Sequence, residues 1–161
     1  MIDTKNKILD SQQAAVVVNN WKAENKKVVF TNGCFDIVHL GHVDYLEKAR
    51  NLGDKLVLGL NTDASVSRIK GPMRPIVDQN SRARVMASLE FVDLVVLFDE
   101  ETPYELISTL IPDILVKGND YLAENIVGAD IVNKNGGKVE TIELVKGYST
   151  TNIINKITTN N

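Results

Sequence analysis

The chain has 161 residues, 43% of them apolar and 24% charged, with a formal net charge of −3. That is enough for one compact domain with a core and too short for two ordinary ones, and the basic residues form no block that would mark a nucleic-acid footprint. A single cysteine excludes an internal disulfide, and the longest apolar stretches, such as Leu94 to Phe98, are far too short to cross a bilayer.

The N-terminus lacks a basic-then-apolar signal pattern, so a soluble, cytoplasmic protein is expected, without membrane or nucleic acid as partner. One domain is read over residues 1–161, with residues 1–10, rich in Lys, Asp and Asn, expected to fray. Ser11 to Glu24 carry Ala14, Ala15, Val18 and Trp21 at helical spacing, which predicts an amphipathic lead-in helix over 11–25. Val28 to Phe30 open a first strand that ends in the small-residue turn Thr31-Asn32-Gly33. A helix starting near Leu40 and periodic from Val43 to Leu52 comes next.

Further strands are predicted at Lys55 to Leu60, Leu94 to Phe98, Asp113 to Lys117 and Lys138 to Ile142. Helical periodicity lies between them at Ser81 to Leu89, Pro103 to Leu110 and, more weakly, Ala123 to Lys134. Thr102 is placed to cap the helix that follows it, with Pro103 at the first helical position and Glu105 completing a capping box. Gly136-Gly137 closes the helix before the last strand. Alternating strands and helices imply right-handed crossovers and a Rossmann-like, doubly wound α/β fold. About five parallel strands in order 3-2-1-4-5 are expected, covered on both faces.

Ligands of such sheets bind beyond the carboxyl ends of the strands. The chemistry-bearing residues fall there. Thr31 to Asp36 and the chain's only histidines, His39 and His42, follow the first strand. Asn61-Thr62-Asp63 follow the second, Lys117-Gly118-Asn119-Asp120-Tyr121 the fourth, and Lys146 to Thr151 the fifth, opening a final helix. At i and i+3 both imidazoles share one helix face near free backbone N–H groups, and Gly41 between them would let a flat nucleotide ring approach the backbone. The hydroxyls at the last helix start make a second anion site, so two helix starts can hold one polyphosphate. This suits nucleotidyl transfer, in which charge neutralisation matters more than covalent chemistry. Arg82 and Arg84 sit at a helix start, where a cation opposes the dipole, which favours a ligand role for one of them.

The run Phe30-Thr-Asn-Gly-Cys-Phe-Asp-Ile-Val-His-Leu-Gly-His-Val-Asp-Tyr-Leu46 resembles the opening of the cytidylyltransferase-like nucleotidyltransferases, with their HxGH signature. The likeness continues through Gly59 to Val66, Lys70-Gly-Pro-Met-Arg-Pro-Ile76, Val116 to Tyr121 and Gly147-Tyr-Ser-Thr-Thr151, covering residues 11 to 157. Within that family these stretches are most similar to adenylyltransferases that make ADP-heptose and pyrophosphate from ATP and D-glycero-β-D-manno-heptose 1-phosphate, for lipopolysaccharide core precursors. The resemblance implies ATP and Mg²⁺, with the metal held mainly by the phosphates, and it suggests a homodimer. Many bacteria fuse this activity behind a sugar kinase. At this length the free-standing form is expected, with a separate heptose kinase supplying the acceptor.

Carried over by position, His39 and His42 resemble the pair that binds the triphosphate and stabilises the transition state. Lys70 and Arg74 resemble a basic clamp. Thr31 and Asn32 look like phosphate contacts, and Ser149, Thr150 and Thr151 resemble a phosphate cradle. Gly33, Phe35, Gly41, Lys117, Gly118 and Tyr148 fall in the nucleotide-binding motifs. Asp36, Asn61, Asp63, Arg82 and Asp120 are candidates for orienting the sugar phosphate. Asp36 and Asp63 could equally be caps, a solvated strand end is the lesser reading of Lys117, and Cys34 reads as a small core residue rather than a nucleophile. Asn119 departs from the family's second Gly, a change tolerable because Asn accepts a positive φ. Two other readings are a transferase for another acceptor such as glycerol 3-phosphate, with ATP or CTP, and a non-catalytic nucleotide-binding module. A class I tRNA synthetase would be far longer.

Overall fold

The computed structural model describes residues 3–122 and 125–159. A 3-10 turn at Thr4–Lys7 leads into strand β1 (Ile8–Leu9) and helix α1 (Ser11–Ala23). There follow β2 (Val28–Gly33), α2 (Leu40–Arg50), β3 (Lys55–Asn61), α3 (Asp63–Lys70), α4 (Gln79–Ser88) and β4 (Leu94–Phe98). The second half comprises α5 (Tyr104–Leu110), β5 (Ile114–Gly118), α6 (Ala129–Lys134), β6 (Lys138–Ile142) and α7 (Thr150–Thr158).

The sheet is parallel throughout, in the order β1-β4-β3-β2-β5-β6. The five expected strands are present in the expected relative order, so the winding reverses at β2, whose neighbours are β3 and β5. The expected count was one short. Residues 3–10 are not frayed, because Ile8 and Leu9 pair with Val95 and Val96 at the sheet edge. The Lys7 ammonium donates to Val92 O (2.7 Å) and Leu89 O (3.3 Å) and fastens that edge. A strand of two residues carries too little alternation to be read from sequence.

Successive strand residues face opposite sides of the sheet. Val29, Leu56, Leu58, Leu60 and Val95 pack under Leu46 and Ala49 of α2 and Ala83, Met86 and Ala87 of α4. Val28, Phe30, Val57, Val96 and Leu115 pack against Ala14 and Val18 of α1, Leu106, Ile107 and Leu110 of α5, and Val132 of α6. Burial on both faces is why these strands are near-continuous apolar runs. The lead-in helix starts as expected at Ser11, fixed by a capping box in which Gln13 N donates to Asp10 Oδ1 (2.8 Å) and Asp10 N to Gln13 Oε1 (3.2 Å).

Three expectations need correction. Helix α3 was not anticipated. It is short and polar, with Ser65 and Val66 buried, and begins where Thr62 Oγ1 accepts from Ser65 N (3.2 Å). The capping box at Thr102 does not form, since α5 starts one residue later with Pro103 as its cap and no side-chain cap bond. The weak helix expected from Ala123 shrinks to Ala129–Lys134, and Ala123 and Glu124 themselves lie outside the described residues. Gly136 does end that helix, in the left-handed region at φ +79° just after the cap residue Asn135. No described helix is long and apolar enough to cross a membrane.

Candidate active site

One cavity of about 620 Å³ opens at the carboxyl edge of the sheet over β2, β3 and β5. That volume is within the usual range for small-molecule sites. Its floor is the turn from β2 into α2. His39 is the N-cap residue of α2 and His42 lies in its first turn, so the three-residue spacing stacks the rings, 3.7 Å between centroids and 21° between planes. Phe35 backs His42 at 5.0 Å.

The Nδ1 atoms of both histidines and Asn32 Oδ1 are buried and have no hydrogen-bond partner among the described residues. Desolvation lowers the pKa of His39, and desolvation reinforced by the adjacent His39 lowers that of His42 to about 4. Both rings are therefore neutral at pH 7, and each offers one N–H donor.

The start of α7 closes on this pair. Thr150 Oγ1 donates to Ile37 O (3.3 Å), while Ser149 caps the helix by accepting from Asn152 N (3.0 Å). Tyr148 stacks beside His39, 6.5 Å between centroids. The two helix starts therefore meet at one cavity, as the sequence suggested. Gly41 has a tighter reason than approach of a nucleotide: a Cβ there would lie 3.0 Å from His39 Nδ1 and 3.2 Å from Tyr148 Cβ. A side chain there would have to push the His39 ring and Tyr148 aside by a few tenths of an ångström.

Basic groups line two sides. Lys70 ends α3, and Arg74 Nε donates to Asp36 Oδ2 (2.7 Å). At the end of β5 the Lys117 ammonium reaches Asn32 O (3.4 Å) and lies 5.4 Å from the centroid of the Tyr121 ring. Desolvation lowers its pKa to about 8, against the opposing pull of Asp120 and Cys34. Gly118 beside it leaves room for Asp120, whose Oδ1 would be 2.6 Å from a Cβ. Asn119 is not in the left-handed region, so the expected use of its tolerance for positive φ is not made. Its side chain instead accepts from Leu144 N (3.4 Å).

Of the residues singled out from the sequence, the cavity is lined by Asn32, Gly33, Phe35, Asp36, His39, Gly41, His42, Asn61, Lys70, Arg74, Lys117, Gly118, Asp120, Tyr148, Ser149, Thr150 and Thr151. Three do not line it. Thr31 is fully buried, its hydroxyl 2.7 Å from Tyr45 Oη and donating to Val116 O (3.0 Å), so it is a core hydroxyl rather than a phosphate contact.

Arg82 is 1% exposed and donates to Cys34 O (2.7 Å), Asn61 O (2.8 Å), Val77 O (2.9 Å) and Asp63 Oδ1 (2.7 Å). The cation at a helix start is thus spent on the ends of β2 and β3 instead of a ligand, and Asp63 is its counter-ion. Sequence reasoning also missed cavity walls. Cys34, expected in the core, lines the site as a thiol whose pKa burial raises against nearby Lys70, Arg82 and Arg74. Glu101, Thr102, Pro103, Leu144 and Val145 line it too. Their only signal was position just past the carboxyl ends of β4 and β6.

A doubly wound parallel sheet carrying stacked imidazoles and a hydroxyl-capped helix start at its switch point defines the class, an α/β nucleotidyltransferase. The chain belongs to the Cytidylyltransferase-like family, whose model matches residues 30–156. It is 56% identical over 155 residues to the bifunctional protein HldE of Magnetococcus marinus, an overlap of 96% of this chain and 32% of that protein. It is likewise 56% identical over 155 residues to that of Syntrophotalea carbinolica, an overlap of 96% of this chain and 31% of that one. The chain thus spans about a third of the length of these curated relatives.

A crystal structure of the lipopolysaccharide core biosynthesis protein from Thermoplasma volcanium is 35% identical with a TM-score of 0.61, over 77% of this chain and 99% of that one. Pantoate-beta-alanine ligase from Francisella tularensis, 16% identical with a TM-score of 0.61 over 93% of this chain and 77% of that one, shares the fold.

Proposed function

We propose that the chain transfers an adenylyl group from ATP to D-glycero-β-D-manno-heptose 1-phosphate, giving ADP-heptose and pyrophosphate, with a sugar kinase activity supplying the acceptor. An acceptor phosphate oxygen attacks the α-phosphorus in line, the new O–P bond forms as the bond to the β-phosphate oxygen breaks, and pyrophosphate leaves with that electron pair. The observation that carries the reading is the stacked, unpartnered and neutral His39–His42 pair facing the N-terminus of α7 in one cavity. Fixed N–H donors in a partly desolvated site stabilise charge that develops on phosphate oxygens. Binding alone would not demand such donors.

Among the described residues no cluster of three His, Cys, Asp or Glu could hold a metal. Asp36 is already taken by Arg74. Mg²⁺ would be held mainly by phosphate oxygens, where it would neutralise charge on the leaving pyrophosphate.

The test is pyrophosphate release by the purified chain with ATP, Mg²⁺ and a panel of phosphorylated acceptors. Release is expected with the heptose 1-phosphate and ATP. Release only with another acceptor or with CTP would reassign the substrate, and ATP binding without release from any acceptor would remove the transferase reading.

A pH profile gives a second check. Lys117 must be cationic to hold a phosphate, and in the free protein its pKa is about 8. kcat/KM should therefore fall as the pH rises through about 8, with kcat less affected because a bound phosphate favours the charged amine. A profile flat to pH 9.5 would take Lys117 out of the site.

A further inference from the structure

Asp36 was read from the sequence as a possible substrate contact, yet both of its oxygens are spent within the protein. Its side chain is fully buried. Oδ2 accepts from Arg74 Nε (2.7 Å) and Ile76 N (2.9 Å), and Oδ1 accepts from Ile76 N (2.9 Å) and Val77 N (2.8 Å). One carboxylate at the end of β2 thus holds three donors from the loop after α3. Burial alone would raise its pKa; the Ile76 and Val77 amides and the Arg74 guanidinium outweigh that and hold it below the usual range. The loop is knit further by Ser67 Oγ donating to Arg74 O (2.5 Å) and Arg74 N to Gly71 O (3.0 Å).

The way Arg74 is held matters. Asp36 takes Nε, and the terminal guanidinium nitrogens make no hydrogen bond among the described residues, while Arg74 lines the cavity beside Lys70. A planar guanidinium fixed at Nε presents its two terminal nitrogens as a preset fork, the geometry that matches two oxygens of a phosphoryl group.

We propose that Asp36 is a positioning residue: it touches no substrate, and by holding Arg74 through Nε it aims the free end of the guanidinium at a phosphoryl group in the cavity. Only the identity of that ligand rests on the function proposed above. The phosphoryl group belongs either to the nucleotide or to the phosphorylated acceptor.

Asp36→Asn separates the two jobs of the carboxylate. The amide oxygen at the Oδ1 position still accepts from Ile76 and Val77, whereas the amide N–H₂ at the Oδ2 position would meet Arg74 Nε donor to donor. Calorimetry would measure binding of inorganic triphosphate, of glucose 1-phosphate as a sugar-phosphate probe, and of adenosine. The proteins compared are the wild-type chain, Asp36→Asn, Arg74→Ala and the double variant.

Arg74→Ala should weaken one of the two phosphorylated probes about ten- to a hundredfold, the worth of a charge-assisted pair, and the affected probe identifies the source. Asp36→Asn should weaken the same probe comparably and leave adenosine unchanged, and the double variant should bind no worse than Arg74→Ala. Additive losses, a loss that includes adenosine, or full phosphate affinity in Asp36→Asn would overturn the proposal. Should Asp36→Asn fail to fold, Arg74→Lys asks the same question with Asp36 intact. It keeps the charge and loses the fork, so it should bind the probe as weakly as Arg74→Ala, and wild-type affinity would overturn the proposal. These binding measurements need no turnover, so they stand apart from any failure of the transferase assay.

Discussion

His42→Ala should lower kcat for pyrophosphate release by about a hundredfold to a thousandfold, the usual cost of one preorganised donor at a developing charge. The loss would come from the hydrogen bond rather than from charge, because a group with a pKa of about 4 is neutral at pH 7 in the free protein. The ring stacks on His39 and leans on Phe35, and it also faces the cavity, so its removal opens space toward solvent instead of a sealed void. The melting temperature should therefore move little, since the large costs of truncation come from closed cavities. Kinetics and a thermal scan on one preparation settle the point. A near-normal kcat would remove the histidine pair from the mechanism, whereas a protein that no longer folds would show His42 to be a core residue first.

The parts of the site legible in the sequence were those set by local periodicity. The i, i+3 spacing of His39 and His42 alone predicts that the rings meet, and the strand and helix alternation places the ends of β2, β3 and β5 on one edge. What was not legible depended on which face or which partner a polar side chain finds. Thr31 shares the parity of Val29, which packs beneath α2, so its hydroxyl had to turn toward Tyr45. Alternation along β2 encodes this, since Val29 and Thr31 fall on one face of the sheet.

Asp36 and Arg82 are harder cases. Asp36 finds Arg74, 38 residues away, and Arg82, besides the nearby Val77 carbonyl, reaches Cys34, 48 residues away, and no local pattern encodes such distant pairings. The edge strand β1 is illegible for want of length, and helix α3 because it is polar, with only Ser65 and Val66 buried and its start set by Thr62.

The largest effect on stability should come from Arg82, for which the family resemblance implies a ligand role. Arg82→Met keeps much of the volume and removes every donor. The carbonyls of Cys34, Asn61 and Val77, the second buried and the others half-buried, then lose their guanidinium partner. Each buried group left without a partner costs about 1–3 kcal/mol, so a loss of about 3–5 kcal/mol is expected once the groups relax together. For a chain of this size that corresponds to a fall of roughly 6–20 °C in melting temperature.

Asp63→Asn is the control. The Asp63 side chain is 41% exposed, and an exposed ion-pair partner contributes less than about 1 kcal/mol. If Arg82→Met melts within 2 °C of the wild type, the buried guanidinium does not hold the ends of β2 and β3 together. If it melts far lower while Asp63→Asn does not, the three carbonyls rather than the ion pair are what Arg82 is buried for, and the cavity floor at Cys34 and Asn61 depends on a residue that never meets a ligand.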